Sequence, residues 1–323
     1  MAIGSYIGSS AGACAAAACI FFKTLEEAKY VIGLERSNKK LNVPRFTRRT
    51  IFQPNMNWLR GEKYSGFFSA NGIEKYLRKM AFINDFKELG PEVFLCATQL
   101  NGSRKVIFGP LDSAVNGQYN RFIAYYNDVS VSEAVAASAC VPGLFQPFGI
   151  ENKKSGEVFE YIDGEARETL SVHIARDTNV DLVIISNVWM PYHFDRQYGS
   201  ISKRGIWSII SQALTQIIEQ KVDRFRNEYD RYRILNQELR AFGRKEGLEE
   251  DLVERLIQKA AEILKYRYME EIYITPDRCD SKFTLAPSWS FNKDLLRFAF
   301  DTGYNRAVDA IDKWVEKHKL KNL

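Results

Sequence analysis

Ile3-Gly4-Ser5-Tyr6-Ile7-Gly8-Ser9-Ser10-Ala11-Gly12 reads as a short apolar strand running into a Gly-x-Ser-x-Gly turn, and the alanine-rich stretch Ala13 to Phe22 continues it as a buried helix. Such a turn is a nucleophile elbow: the backbone is strained where strand becomes helix, and the serine oxygen stands clear of the chain. Glycine is expected at both Gly8 and Gly12, because a Cβ on either side of the strained turn would clash. Ser10 is therefore the candidate nucleophile. The following helix directs its N-terminal N–H groups and dipole at charge developing beside Ser10, which makes the Ala11 amide a candidate oxyanion donor.

The same stretch has two plainer readings. Met1 to Phe22 carries no charge and its Ala-x-Ala steps imitate a secretory signal, but a signal needs a basic n-region and there is none. The apolar run Ala11 to Phe22 is also well short of the roughly 20 residues that span a bilayer. The stretch is expected to belong to the fold.

A chain of 323 residues can bury a large core, as one large domain or two smaller ones. With 46% hydrophobic and 26% charged residues, general disorder is excluded. The net charge of +5 is a mild basic excess that favours an anionic membrane surface or an acidic ligand. No RNP, zinc-finger or phosphate-binding motif accompanies it, so nucleic acid is not indicated as a partner. The five cysteines, Cys14, Cys19, Cys96, Cys140 and Cys279, are odd in number and widely spread. They read as reduced core residues of a cytoplasmic protein, and their spacing does not suit a metal site.

Downstream, Thr24 to Arg36 patterns as an amphipathic helix, and Ser37 to Thr50 as a basic loop holding Lys39, Lys40, Arg45, Arg48 and Arg49. A turn at Gly66 leads to a helix from about Gly72 with Ile73, Tyr76, Leu77 and Met80 on one face. Glu92 to Leu100 and Ser103 to Phe108 read as a hairpin around Asn101-Gly102. Ser130 to Ala139 is a helix stopped by Val141-Pro142-Gly143, and Phe159 to Ile162 is a short strand ending on Asp163-Gly164. Asp181 to Val188 is a continuous apolar run, as in a parallel strand covered on both faces. Alternating strands and helices imply an α/β sandwich.

From Lys203 to about Tyr268 the texture becomes that of a helical hairpin, broken at Gly243 to Gly247. Its first arm carries Ile206, Trp207, Ile209, Ile210, Leu214, Ile217 and Ile218, then the arginine and tyrosine run Arg224 to Arg233. The pattern predicts one core face and one solvated face. A lid or membrane-interface role is the other reading, since Trp, Tyr and Arg on one helix suit a headgroup region. Glu271 to Thr275 returns to strand and Lys293 to Lys317 forms a last helix.

A serine hydroxyl is a poor nucleophile until a base takes its proton. A triad in the order serine, acid, histidine would draw on His173, His193 or His318, none of which has the expected context. The alternative is a carboxylate that meets the serine directly. The elbow from Gly8 to Ala13, the segment Ala134-Val-Ala-Ala-Ser-Ala-Cys-Val-Pro-Gly-Leu-Phe-Gln-Pro-Phe148 and the turn Tyr161-Ile-Asp163-Gly164 occur in that order. Together they resemble the patatin-like phospholipases, over roughly Ile3 to Val188.

The resemblance implies a patatin-like three-layer α/β sandwich with a mostly parallel central sheet, to which the helical hairpin is added. The expected organisation is a catalytic core over 1–202, a helical insertion over 203–270, and a strand and helix over 271–323 that complete the core. The implied activity is lipid acyl hydrolysis of phospholipids or lysophospholipids, with Ser10 as nucleophile, Asp163 as base and Gly164 letting the turn bring the carboxylate within reach. Peripheral contact with an anionic membrane goes with it, and no metal or organic cofactor is implied. Burial would lift the ordinary aspartate pKa of about 3.9 to a useful range. Glu165 departs from the small residue usual after that pair, and an inward-pointing second carboxylate would raise Asp163 further. Ser9, Thr98 and Ser138 read as structural. The family's Gly-rich oxyanion loop precedes its elbow by a strand and a helix, whereas nine residues precede Ser10 here and no equivalent run occurs. The expectation is that these residues lack the beginning of a complete enzyme. The alternative is a catalytically impaired remnant that binds lipid or a protein partner through the hairpin.

Overall fold

The computed structural model describes residues 3–22, 24–31, 34, 47, 49, 52–55, 63, 65–81, 83–102, 104–111, 123–153, 155–167, 169–178, 180–264, 269–277, 280–285 and 292–319. Its strands are β1 (Ser5–Ser9), β2 (Gln53–Pro54), β3 (Phe68–Ser69), β4 (Glu92–Gln99), β5 (Arg104–Phe108), β6 (Ile123–Tyr126), β7 (Phe148–Glu151), β8 (Val158–Asp163), β9 (Leu182–Ser186) and β10 (Glu270–Ile274). Its helices are α1 (Ala11–Phe21), α2 (Leu25–Val31), α3 (Asn71–Met80), α4 (Val131–Ser138), α5 (His173–Asp177), α6 (Ile206–Lys245), α7 (Glu250–Leu264), α8 (Ser281–Thr284) and α9 (Lys293–Lys319). Lys39, Lys40, Arg45, Arg48 and Cys279 lie outside the described residues. The chain divides into two compact units, Met1–Ile174 with Trp289–Phe298, and Ala175–Ser288 with Ala299–Leu323.

The first unit is the expected layered α/β domain. Its sheet runs β6-β5-β4-β8-β7, with β1 also paired to β4. The pairing is mixed: β1 with β4 and β5 with β6 are parallel, whereas β4 with β5, β4 with β8 and β7 with β8 are antiparallel. Local turn chemistry sets the first of the antiparallel pairs, since the Asn101-Gly102 turn folds β5 straight back on β4. Strand β4 is the centre. Every residue from Val93 to Gln99 is buried, as a strand covered on both faces requires.

One face of that sheet presents Val93, Leu95, Ala97, Val106, Phe108 and Tyr161 to α1, α3 and α4. The other presents Phe94, Cys96, Ile107 and Tyr125 to Ile174 of α5. Helix α4 starts with a capping box, Ser130 accepting from the Glu133 N–H while the Glu133 carboxylate accepts from the Ser130 N–H. That exchange satisfies two donors that a helix start leaves open. Its buried run Ala134 to Ala137 lets the helix lie close on the sheet. Helix α1 is apolar all round, yet it buries only the face of Ala13, Ala16, Ala17 and Phe21, and Ala15 and Cys19 are exposed.

In the second unit β9 pairs in parallel with β10 as a two-stranded sheet. The expected burial on both faces does not hold: Ile185 is buried, whereas Ile184 and Ser186 are exposed. Helices α6 and α7 are the expected hairpin. Gly243 does not break α6: it lies inside the helix, where a Cβ would run into the Val253 side chain of α7. The Arg240 guanidinium closes the hairpin by donating to both carboxylate oxygens of Glu254, at 2.7 and 3.0 Å. The expectation for the first arm of α6 is overturned. Ile206, Trp207, Ile209, Ile210, Leu214 and Ile217 are exposed and only Ile218 of that set is buried, next to Thr215 and Val222. No described helix is long and apolar enough to cross a membrane.

Candidate active site

Strand β4 brings together two residues 153 positions apart, because β1 and β8 share the same edge of it, end to end. Strand β1 runs parallel to β4 and finishes with Ser9 opposite Cys96. Strand β8 runs the other way and finishes with Asp163 opposite Ala97. Their C-terminal ends therefore meet one register step apart, and Ser10 and Asp163 are the residues at the junction. The Ser10 hydroxyl donates to Asp163 Oδ2 at 2.5 Å, with both residues buried.

The turn at Ser10 has the strain expected of an elbow. Ser10 adopts φ 55° and ψ −123°, a left-handed conformation costing about 1 to 3 kcal/mol for a non-glycine residue. Gly8 is required, since a Cβ there would stand 2.5 Å from the Gly12 carbonyl oxygen. Gly12 is not: a Cβ on it meets nothing within 4 Å among the described residues, which corrects the expectation of steric need on both sides. Gly164 is required, because a Cβ would strike the Cys96 carbonyl oxygen and come within 2.5 Å of Ser9 Oγ. The Ser10 carbonyl accepts the Ala13 and Cys14 N–H groups. The Ala11 and Gly12 amides, ahead of these, are the ones that point out of the helix start.

Asp163 is held on both oxygens. Oδ1 accepts the Glu165 N–H at 2.9 Å while Oδ2 accepts the serine, and the Asp163 N–H donates to the Cys140 carbonyl at 2.9 Å. Burial pushes its pKa up to about 6, against the lowering influence of the Ser10 and Glu165 hydrogen bonds. The effect of Glu165 is thus exerted by its backbone N–H. Burial, and after it the nearby Asp163 charge, pushes the Cys14 thiol up to about 11 and the Cys140 thiol higher still. Both therefore remain neutral walls of the site.

Ser138 does more than fill a helix position. Its hydroxyl oxygen accepts the Ser10 N–H at 2.9 Å and its proton goes to the Cys96 carbonyl at 2.6 Å. One buried hydroxyl thereby fastens the strained turn, α4 and β4 to each other. Nothing in the small-residue run Ala134 to Cys140 distinguishes this serine from a packing residue, since its partners are set by tertiary structure alone. Ser138→Ala leaves the Ser10 amide without an acceptor in a buried site, at a cost of about 1 to 3 kcal/mol. A lowered unfolding midpoint in denaturant with an unchanged m value is the expected result.

Among the described residues no histidine bonds to Ser10 or Asp163. His193 is exposed, and the His318 ring nitrogens lie 2.8 Å from the Trp314 carbonyl and the Glu270 carboxylate. Nor do three His, Cys, Asp or Glu side chains among them converge as a metal site would.

A layered α/β domain with a serine raised on a strand-to-helix turn is a hydrolase-type scaffold. The patatin-like phospholipase family model matches residues 4–176, more than half of the chain, and the chain belongs to that family, a family of lipid acyl hydrolases. No curated protein matches the chain at a significant level.

Proposed function

We propose that this chain hydrolyses carboxylic ester bonds of phospholipids or lysophospholipids through an acyl-Ser10 intermediate, with Asp163 as the base. The observation that carries the reading is the direct hydrogen bond from Ser10 Oγ to Asp163 Oδ2. It already lies within the reach that a general base needs. Ser10 Oγ attacks the ester carbonyl carbon and its proton passes to Asp163. The tetrahedral oxyanion faces the Ala11 amide and the α1 N-terminus, where hydrogen bonding and the helix dipole favour negative charge. Collapse breaks the ester C–O bond, and the departing alcohol takes the proton from Asp163. Water then attacks the acyl-serine, giving one proton to Asp163, which returns it to Ser10 Oγ as the fatty acid leaves. The free thiols of the described cysteines support a reducing, cytoplasmic setting.

A fluorophosphonate probe tests the nucleophile: labelling should fall on Ser10 and vanish in Ser10→Ala, and labelling elsewhere would refute the assignment. The base makes a second prediction. Only the ionised carboxylate accepts the proton, so kcat/KM for a soluble ester should decline about tenfold per pH unit below about 6, the value to which burial lifts Asp163. A profile flat from pH 7 to pH 4.5 would exclude Asp163 as the base.

A further inference from the structure

We infer that the loop from Tyr192 to Gly205 and the first turns of α6 form a docking platform for an anionic lipid surface. The apolar stripe of α6 faces outward. Ile206, Ile210, Leu214 and Ile217 recur at the spacing of one helical face, with Trp207 beside them and 72% exposed. The inward face carries Thr215, whose hydroxyl donates to the Ser211 carbonyl at 2.8 Å. The stripe from Ile206 to Ile217 runs about 17 Å along the surface, at about 1.5 Å per residue. A contiguous exposed apolar surface of this kind marks an interaction site.

The loop before it is a built structure. The Gln212 side chain brackets the Tyr192 backbone, accepting its N–H and donating to its carbonyl, both at 2.9 Å. The Tyr192 hydroxyl accepts the Asp195 N–H at 2.9 Å and donates to the Gly199 carbonyl at 2.7 Å. Phe194, next to this fastened turn, is 72% exposed. A second large apolar ring is thus held out in solvent by a loop pinned to the same helix.

Charge selects the occupant. Between Val188 and Ile218 the acid is Asp195, set against Arg196, Lys203 and Arg204. All three cations are exposed. The Asp195 carboxylate is occupied by the Gln197 N–H and the Ser281 hydroxyl. Apolar side chains with an exposed Trp and flanking bases are the composition that settles at the boundary between headgroups and acyl chains of anionic lipid. A second copy fits less well, because a two-fold contact lays a patch on its own image and would oppose these cations to one another.

The inference deepens the proposed function by naming where the substrate-bearing surface is met. Its test separates the two. In a Ser10→Ala background the chain should cosediment with vesicles of phosphatidylcholine and phosphatidylglycerol at least about tenfold better than with phosphatidylcholine alone. Ile210→Asp with Leu214→Asp should reduce that binding about tenfold or more, and Lys203→Glu with Arg204→Glu should abolish the preference for anionic lipid. In the Ser10 parent, the α6 variants should keep wild-type hydrolysis of a soluble short-chain ester. Absence of binding to mixed vesicles overturns the platform, as does equal binding by the Asp variants. So does a dimer of the parent chain that the same substitutions convert to monomer. Vesicle binding with no hydrolysis of the soluble ester instead overturns the catalytic reading and leaves the platform standing.

Discussion

Asp163→Asn is expected to lower kcat/KM for ester hydrolysis by about 10²- to 10⁴-fold, the range that loss of a positioned general base covers, while the chain stays folded. The asparagine keeps the size of the side chain and can still accept the Ser10 hydroxyl hydrogen bond, but it cannot take the proton. The same substitution has a stability signature that a merely turn-forming aspartate would lack. The carboxylate is raised in the folded protein from an ordinary 3.8 to about 6, chiefly by burial. A group raised in this way contributes stability in full below its unfolded pKa, and the contribution is lost as pH rises through the folded pKa. Two pKa units correspond to about 3 kcal/mol. Chemical denaturation of the parent chain should therefore show the Asp163 contribution disappearing between about pH 4 and pH 7. Asp163→Asn should remove that slope. Undiminished hydrolysis would dismiss Asp163 as base, and an unchanged slope would dismiss the buried, perturbed carboxylate.

The parts of this arrangement that depend on neighbours in sequence were legible beforehand. The elbow follows from glycine spacing around Ser10, the hairpin from Asn101-Gly102, and the end of the Ser130 to Ala139 helix from Val141-Pro142-Gly143, all local rules. The proximity of Ser10 and Asp163 is not local: it was legible only through the family resemblance. Its physical cause is the shared edge of β4, on which the ends of two strands of opposite direction meet. The sequence marks Ser138 only as structural, because the acceptor role of its oxygen exists only once α4 lies across the elbow. The stripe on α6 departs from its sequence pattern for a different reason. Periodicity shows that Ile206, Ile210, Leu214 and Ile217 share a face, and the usual assumption turns an apolar face inward. Which face a helix buries depends on what it packs against, and here Thr215, Ile218 and Val222 take the inner side. Gly12 and Gly243 follow the same logic: a glycine's letter does not say whether a neighbour approaches it.

Gly164→Ala should damage folding and catalysis together. The added Cβ would meet the Cys96 carbonyl oxygen and Ser9 Oγ, and the carbonyl has no room to retreat. Cys96 lies in the middle of the fully buried part of β4, paired with Ser9 on one side and Ile107 on the other. Its carbonyl is also held by the Ser138 hydroxyl at 2.6 Å. The end of β8 must therefore move away from the end of β1, carrying Asp163 off Ser10. Overpacking of a buried site costs about 1 to 3 kcal/mol, and displacement of a reacting group by about 1 Å costs about 100-fold in rate. Fluorophosphonate labelling of Ser10 should accordingly slow by about that factor, with a lowered unfolding midpoint. Gly12→Ala is the matched control. Its Cβ enters open space at the start of α1, where alanine is the better helix former by about 1 kcal/mol, so stability should be unchanged or improved. If Gly164→Ala labels and unfolds like the parent chain, the junction of β1 and β8 on β4 is not what sets the distance between serine and aspartate.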